Sequence, residues 1–135
     1  MTVVVDASVA LKWVLEEEGA ERARALAASE IMVVPDLWLI ECSNVLAMKV
    51  RRGQITAADS VQALDVITSA PVRIVPTRGL AALAHGLALE LNKSAYDCLY
   101  LAIAVNERAT MVTADAAFFR AASAVATYAP HIRML

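Results

Sequence analysis

Short apolar runs that lead into an acid are the feature that most constrains this chain. Val3–Val5 continues directly into Asp6, and Thr110–Thr113 is followed two residues later by Asp115. A run such as Val3–Val5, which has no polar alternation, is typical of a central parallel strand that is covered on both faces. Helical patterns separate the runs, so the chain is predicted to be an α/β domain with a mostly parallel central sheet.

The apolar periodicity predicts the bounds of the individual elements. Strands are predicted at Val3–Val5, Ile31–Val34, Val72–Val75, Thr110–Thr113 and in the closing "IRML". Helices are predicted at about Ser8–Leu15, Glu18–Ala28, Leu37–Arg52, Thr56–Ser69, Thr77–Leu91, Ser94–Arg108 and just after Asp115. Asp36 and Thr77 stand where N-cap residues are expected, and Gly53 is expected to end the third helix. Thr56 and Ser94 each open a capping-box pattern.

Composition bounds the class of protein. The 135 residues are 59% hydrophobic and 19% charged, which predicts one ordered domain over residues 1–135. No apolar run approaches the ~20 residues that span a bilayer, and the N-terminus lacks the basic region of a signal peptide. A net charge of −2 gives no overall attraction to nucleic acid. Cys42 and Cys98 lie in apolar helical patterns, which favours buried, reduced thiols in the cytoplasm and a packing role.

Four acids stand in positions where a charge is costly. Asp6 and Asp115 follow predicted strands, and the ligand site of such sheets lies beyond the carboxyl ends of the strands. Asp97 lies on the apolar face of "CLYLAIAV", and Glu41 lies mid-helix on an apolar stripe. Each has an ordinary alternative: Glu41 can curl to solvent or pair with a cation, and the three aspartates can act as caps or turn residues.

Convergence on one divalent cation explains all four acids together. Mg²⁺ and Mn²⁺ prefer oxygen ligands, and clustered carboxylates would repel one another without a metal. A metal held there would polarise a phosphate and activate a water for in-line attack, the chemistry of phosphodiester hydrolysis. Ser8 and Thr113 each stand two residues from an acid, close enough to orient a carboxylate or a metal-bound water.

The motifs "VVVDAS", "LWLIECSNVL", "SAYDCLYLAIA" and "MVTADAAFF" together resemble the PIN domain, specifically its VapC-type toxins. The resemblance covers essentially the whole chain and implies a three-layer α/β/α fold. By resemblance, Asp6, Glu41, Asp97 and Asp115 match the acidic metal site, with Asp6 and Asp97 the direct Mg²⁺ ligands. Ser8 and Thr113 match its hydroxyl positions, and Asn44 matches the polar residue one turn after the glutamate.

The resemblance also implies a function and partners. The family implies a small Mg²⁺-dependent endoribonuclease, the toxin of a type II toxin–antitoxin pair, that is usually a homodimer and is neutralised by a VapB-type antitoxin. An acidic pocket that suits Mg²⁺ also suits a guanidinium, whose fork of donors matches paired carboxylates. We therefore expect an antitoxin arginine to reach the acids.

Basic and aromatic residues carry weaker signals. "KVRRG" holds Lys49, Arg51 and Arg52, whose positive charges are favourable near the C-terminus of a helix. The same three residues are also candidates for contact with the RNA backbone. Lys12 and Lys93 lie near the predicted mouth of the site. Three further residues, His85, Trp13 and Trp38, are expected to pack, the tryptophans in the core or at an interface.

Two alternatives stay open at this level. The chain could be a PIN nuclease of RNA processing that has no antitoxin. It could also be a non-catalytic α/β module that uses an acidic pocket and Mg²⁺ for phosphoryl signalling. A receiver-like module needs a lysine after its last strands, and no lysine follows Lys93, which counts against it.

Overall fold

The structure is a computed structural model that describes residues 1–135, and it alternates strands with helices as the sequence predicts. The strands are β1 Thr2–Val5, β2 Ile31–Pro35, β3 Val72–Val75, β4 Thr110–Thr113 and β5 Ile132–Met134. The helices are α1 Ala7–Val14, α2 Ala20–Ser29, α3 Trp38–Arg51, α4 Ala57–Thr68, α5 Ala81–Leu91, α6 Ala95–Glu107 and α7 Ala116–Ser123. Two short 3₁₀ helices, Arg78–Leu80 and Ala129–His131, precede α5 and β5.

The five strands form one sheet in the order β3-β2-β1-β4-β5, and every pairing is parallel. The prediction of a three-layer α/β/α fold with a mostly parallel sheet is thus confirmed. The strand order reverses between β1 and β4, where Val5 pairs with Val112. A parallel sheet of this type binds ligands beyond its carboxyl edge at such a switch point. Asp6 and Thr113 both lie at that edge.

The strand β1 and the helix α6 are apolar on all sides because both lie inside the core. Val3, Val4 and Val5 are fully buried, as are the consecutive residues of α6 from Cys98 to Ala104. The helix α6 packs on β1, β2 and β4 as well as on α5, so it has little face left for water. Both cysteines are buried and unpaired, as expected. None of the helices combines the length and the apolar character that spanning a bilayer requires.

Several helix ends differ from the sequence prediction. Asp36 is not the N-cap of α3: the N-cap position is taken by Leu37, which makes no side-chain capping bond. The Asp36 carboxylate instead accepts hydrogen bonds from the hydroxyl and the backbone N–H of Thr77, 41 positions away. Thr77 therefore does not cap the helix with its side chain, and a 3₁₀ turn begins there. Asp36 and Thr77 lie just after two neighbouring strands, and each supplies the other's hydrogen-bond partner at the carboxyl edge of the sheet.

Other caps follow the prediction. Thr56 accepts a hydrogen bond from the backbone N–H of Asp59, and Ser94 accepts one from Asp97. Gly53 has a φ of +70° just after α3, and Gly19 has a φ of +86° just before α2. Glycine adopts this left-handed conformation without the Cβ penalty of other residues, which is why both helix boundaries fall there.

Candidate functional site

Asp6 is the centre of the candidate site. It follows β1 directly, the residue is only 7% exposed, and it is the N-cap of α1. The carboxylate accepts hydrogen bonds from the backbone N–H of Val9 at 3.2 Å, from the Ser8 hydroxyl at 2.5 Å and from the Thr113 hydroxyl at 2.5 Å. Both oxygens are therefore engaged, and all three donors are neutral.

The two hydroxyls tie Asp6 to the end of the neighbouring strand. Ser8 Oγ accepts the backbone N–H of Ala114 at 3.1 Å, and Thr113 Oγ accepts the backbone N–H of Asp115 at 3.1 Å. A hydroxyl has one hydrogen, so each one that accepts from the backbone still donates to the carboxylate. The prediction that Ser8 and Thr113 lie where they can orient an acid agrees with this geometry.

Glu41 lies in the first turn of α3 rather than in mid-helix, because the helix begins at Trp38. Its side chain is half-buried, and its Oε1 accepts a hydrogen bond from the Tyr100 hydroxyl at 2.8 Å. Tyr100 lies on α6 and is 1% exposed. The acid thus points toward the protein and not freely into water.

Asp97 and Asp115 lie at the first turns of α6 and α7. Ser94 Oγ donates to the Asp97 carboxylate at 3.0 Å and accepts its backbone N–H at 3.1 Å, so the capping role foreseen for this pair is present. Asp115 is exposed and is the N-cap of α7, accepting the backbone N–H of Phe118 at 3.0 Å. Both acids therefore have a structural role that does not exclude a second one.

The acids interact electrostatically across the sheet edge. Burial raises the pKa of Asp6; hydrogen bonds from Ser8, Thr113 and Val9 oppose that rise, and the charge of Asp97 adds to it. Burial likewise raises the pKa of Glu41, against the bond from Tyr100, and the charges of Asp97 and Asp6 raise it further.

The pKa of Asp97 follows the same pattern. Burial raises it, the hydrogen bond from Ser94 opposes the rise, the charge of Asp115 adds to it and the cation of Lys93 lowers it. None of the four acids forms an ion pair with a lysine or an arginine. The structure thus brings the acids into mutual repulsion without a cation in contact.

The donor set fits a hard divalent cation. All the groups are oxygens, and burial and mutual repulsion disfavour the charged forms of Asp6, Glu41 and Asp97, which a cation would favour. No group of three or more acidic, thiol or imidazole side chains is arranged to hold an ion by itself. Mg²⁺ is commonly bound through only one or two carboxylates and keeps several waters, so it does not need such a group.

The remaining predicted residues make no hydrogen bond or ion pair with the four acids. Asn44 is exposed on α3. The Lys12 ammonium donates to the Glu18 carbonyl at 2.7 Å and lies 3.6 Å from the Glu17 carboxylate. The cluster Lys49, Arg51 and Arg52 lies at the opposite end of α3 from Glu41. At a helical rise of about 1.5 Å per residue, that distance is about 12 Å or more.

The main cavities of the protein are not lined by the four acids. The largest, of about 550 Å³, lies at the amino edge of the sheet and is lined by residues such as Arg73 and Thr110. Another, of about 380 Å³, is lined by residues of α1 and α4 and includes Trp13. The candidate site is therefore identified by the burial of its acids and by their mutual charge, and not by a cavity.

The cysteines beside the acids are inert. Burial raises the pKa of Cys42 to about 12 and that of Cys98 to about 11, and the charges of neighbouring acids contribute in the same direction. A thiol that stays protonated at neutral pH is neither a nucleophile nor a ready metal ligand. The structure therefore agrees with the packing role expected for both.

Tyr100 is the site residue that sequence reasoning missed. It lies in the apolar run "CLYLAIAV", and this pattern predicts only that its side chain packs in the core. The available signal was its hydroxyl, because a buried tyrosine almost always has a hydrogen-bond partner. The sequence does not say which partner, since Glu41 lies 59 positions away.

Comparison with known proteins agrees with this geometry. A family model described as "PIN domain" matches residues 3–124. Ribonuclease VapC9 from Mycobacterium tuberculosis and a VapC ribonuclease from Mycobacterium bovis are each 35% identical to the chain over 113 residues, which is 84% of this chain and 85% of theirs.

Solved structures share the fold. The crystal structure of PAE2754 from Pyrobaculum aerophilum matches with a TM-score of 0.72 at 21% identity, over 90% of this chain and 79% of that one. The crystal structure of VapBC2 from Rickettsia felis, bound to a DNA fragment from its promoter, matches with a TM-score of 0.69 at 15% identity, over 100% of this chain and 99% of that one.

Proposed function

The chain belongs to the PIN domain family, and from that premise we propose that it is a Mg²⁺-dependent endoribonuclease, the toxin of a type II toxin–antitoxin pair. The relatives that are 35% identical are named VapC ribonucleases, which supports hydrolysis of RNA as the activity. The acids at the carboxyl edge of the sheet support metal dependence.

The observation that carries the proposal is the position of Asp6. A carboxylate that is 7% exposed and has no cationic partner is costly, because desolvation disfavours its charged form. A protein that needs only a helix cap can use an exposed aspartate, as Asp115 is here. The burial of Asp6 next to other acids is explained when a cation completes the site.

The four acids would divide into direct ligands of the metal and groups that surround it. Asp6 and Asp97 would be direct ligands of Mg²⁺, or of Mn²⁺, and Glu41 and Asp115 would complete the acidic shell. A divalent ion held there would supply Lewis-acid polarisation of a phosphate oxygen and a bound water of lowered pKa.

The protein's own contribution is to fix these groups in advance. Ser8 and Thr113 hold both oxygens of Asp6, and Ser94 holds Asp97, so little side-chain rearrangement is needed when a ligand arrives. The exposed Asn44 would act at the rim. Lys12, Lys49, Arg51 and Arg52 would contact the phosphate backbone of RNA outside the acidic shell.

A VapB-type antitoxin is the proposed partner in the cytoplasm. The apolar cavity beside Trp13 offers a surface of the kind that a bound antitoxin segment needs. An arginine of that segment would reach the acids and compete with Mg²⁺, so bound antitoxin should lower Mg²⁺ affinity by reciprocal linkage. Equal Mg²⁺ affinities of the free and the bound protein would show that the antitoxin blocks RNA sterically instead.

A homodimer is also proposed. Nine large apolar residues are exposed on the monomer, among them Ile40 at 68%, Leu89 at 73% and Tyr96 at 65%. Exposed apolar area of this kind is typical of association surfaces. Sedimentation equilibrium should give twice the monomer mass, and a monomer at micromolar concentration would contradict the proposal.

Cleavage of single-stranded RNA with and without Mg²⁺ tests the function. The wild-type protein should cleave with Mg²⁺ and stop when the ion is chelated, and Asp6→Asn should be inactive under both conditions. Asp65→Asn, which removes an exposed acid from α4, is the matched control and should cleave as the wild type does. Undiminished cleavage by Asp6→Asn, or in the presence of a chelator, would contradict the proposal.

A further inference from the structure

Tyr100 and Glu41 form a hydrogen bond that joins two helices at the candidate site. The Tyr100 hydroxyl, on α6, lies 2.8 Å from Glu41 Oε1, on α3. Tyr100 is 1% exposed, so water does not offer its hydroxyl a ready alternative partner. A buried hydroxyl without a hydrogen bond destabilises the folded state, so this pair has a reason to persist.

The direction of this bond is fixed by chemistry. An ionised carboxylate can only accept, and a phenol donates one hydrogen. Burial and the nearby acids raise the pKa of Tyr100 well above its usual range, so the phenol keeps its hydrogen at every physiological pH. The bond therefore holds Glu41 through one oxygen only.

The bond also limits where Glu41 can point. A glutamate side chain has three rotatable bonds, and an exposed glutamate samples many rotamers. The anchor on α6 orders this side chain within the region where the charges of Asp6 and Asp97 act on it. The second oxygen, Oε2, accepts no hydrogen bond from the protein and remains free for a ligand.

We propose that Tyr100 is a positioning residue, whose hydroxyl holds the Glu41 carboxylate in place for a divalent cation bound with Asp6 and Asp97. The inference rests on the proposed function, since it needs a metal at this site. Tyr100 does not itself contact substrate or ion; it acts through Glu41. Outer partners of this type typically contribute 10- to 100-fold to metal affinity or activity, so an effect of about that size is expected.

The chain contains a matched control. The Tyr128 hydroxyl donates to Glu90 Oε2 at 2.5 Å, in a second tyrosine–glutamate pair that is exposed and joins neither α3 nor the acids. Tyr128→Phe removes the same chemical group and the same type of bond as Tyr100→Phe. Any difference between the two variants in metal binding is therefore a property of the location.

Calorimetric titration of Mg²⁺ into the wild type, Tyr100→Phe and Tyr128→Phe tests the proposal. Tyr100→Phe should bind about 10- to 100-fold more weakly, and Tyr128→Phe should bind as the wild type does. Thermal unfolding in metal-free buffer, measured alongside, identifies a purely structural role, because such a role would lower the midpoint without changing the affinity of the folded protein.

A double-mutant cycle with Glu41→Gln tests the route of action. If Tyr100 acts through Glu41, then Tyr100→Phe should have little further effect on Mg²⁺ affinity once Glu41 has been replaced. An effect of equal size in both backgrounds would overturn the assignment. So would wild-type affinity in Tyr100→Phe, or a loss of equal size in Tyr128→Phe.

The result for the wild type separates this inference from the proposed function. If the wild type binds Mg²⁺ and Tyr100→Phe binds equally well, the positioning role is overturned and the proposed function stands. If the wild type binds neither Mg²⁺ nor Mn²⁺, both are overturned, since no metal remains for Glu41 to serve.

Discussion

The two edges of the sheet treat their acids in opposite ways. At the amino edge, the Arg73 guanidinium forms a bidentate ion pair with the Glu107 carboxylate, with N···O distances of 3.0 and 2.6 Å. The Glu30 carboxylate lies 3.3 Å from the N-terminal ammonium. At the carboxyl edge, Asp6 and Glu41 are buried or half-buried and receive hydrogen bonds only from neutral groups. The chain thus pairs Glu107 and Glu30 with cations at one edge and leaves Asp6 and Glu41 without a cationic partner at the other.

The difference indicates what each edge is for. Both edges belong to the same sheet, and the chain has 12 lysines and arginines, so cations were available. An acid that only closes a loop is most stable with a cation or with full solvation. Acids that are held by hydroxyls and repel one another are instead ready for a cation from outside the chain. This contrast is the basis of the proposed metal site.

The largest expected effect comes from removing one charge at the carboxyl edge. Asp97→Asn keeps the shape of the side chain but weakens its hold on a cation, so RNA cleavage should fall by about a hundredfold or more, beyond the 10- to 100-fold typical of supporting residues. Single-turnover cleavage rates at saturating RNA measure this. Asp65→Asn is the control, and a wild-type rate for Asp97→Asn would show that the unpaired acids are not catalytic.

A smaller effect is expected from the hydroxyls that hold Asp6. Thr113→Val keeps the volume of a fully buried side chain and removes its donor to Asp6, so Mg²⁺ affinity or cleavage should fall by about 10- to 100-fold. Thr68→Val removes a hydroxyl that donates to the Leu64 carbonyl of α4 and should change neither quantity. Equal Mg²⁺ affinity and cleavage in Thr113→Val and Thr68→Val would show that the hydroxyl at the carboxyl edge has no special role.

The stability of the metal-free protein should depend on pH through Asp97. The pKa of Asp97 is raised in the folded state, so between 3.8 and that raised value the folded protein binds more protons than the unfolded one. In metal-free buffer the contribution of Asp97 to stability should therefore be lost as pH rises through this window. Asp97→Asn should be at least as stable as the wild type at neutral pH.

Urea unfolding at several pH values, without metal, measures this contribution as the difference between wild type and Asp97→Asn. The difference should move in favour of Asp97→Asn as pH rises from below 3.8 to neutrality. Added Mg²⁺ should stabilise the wild type preferentially, because it binds the folded state. A difference that moves in the opposite direction would mean that Asp97 is stabilised by an internal partner after all.

The smallest effect is expected at the amino edge. Arg73→Gln breaks the pair with Glu107, in which the arginine side chain is 55% exposed, so the free energy of unfolding should fall by only about 0.2–1 kcal/mol. RNA cleavage and Mg²⁺ affinity should not change. Denaturant unfolding and the cleavage assay measure both properties on one preparation. A loss of cleavage in the folded variant would extend the functional region to both edges.

The fold was largely predictable because local patterns decide it. Val3–Val5 is apolar on both faces, Thr110–Thr113 has an apolar pair between two threonines, and Gly53 ends α3 by its backbone conformation. These signals involve neighbours in sequence, and their predicted bounds differ from the structure by one residue or less.

The errors arose where a partner is distant in sequence. Asp36 was expected to cap α3, but its carboxylate is taken by Thr77, and the same contact replaces the predicted helix start with a 3₁₀ turn. Tyr100 was overlooked because its partner Glu41 lies on another helix. Sequence patterns identify a polar group that needs a partner, but only the packing of the helices decides which partner it meets.

Anomalous diffraction from a crystal of the protein soaked in Mn²⁺ tests directly whether the acids at the carboxyl edge bind a divalent cation. The unpaired acids at the carboxyl edge should hold the ion, so an anomalous peak should lie in contact with the carboxylates of Asp6 and Asp97 and be absent in Asp6→Asn. Mn²⁺ bound only elsewhere, or no peak with both carboxylates still held by their hydroxyls, would contradict the account.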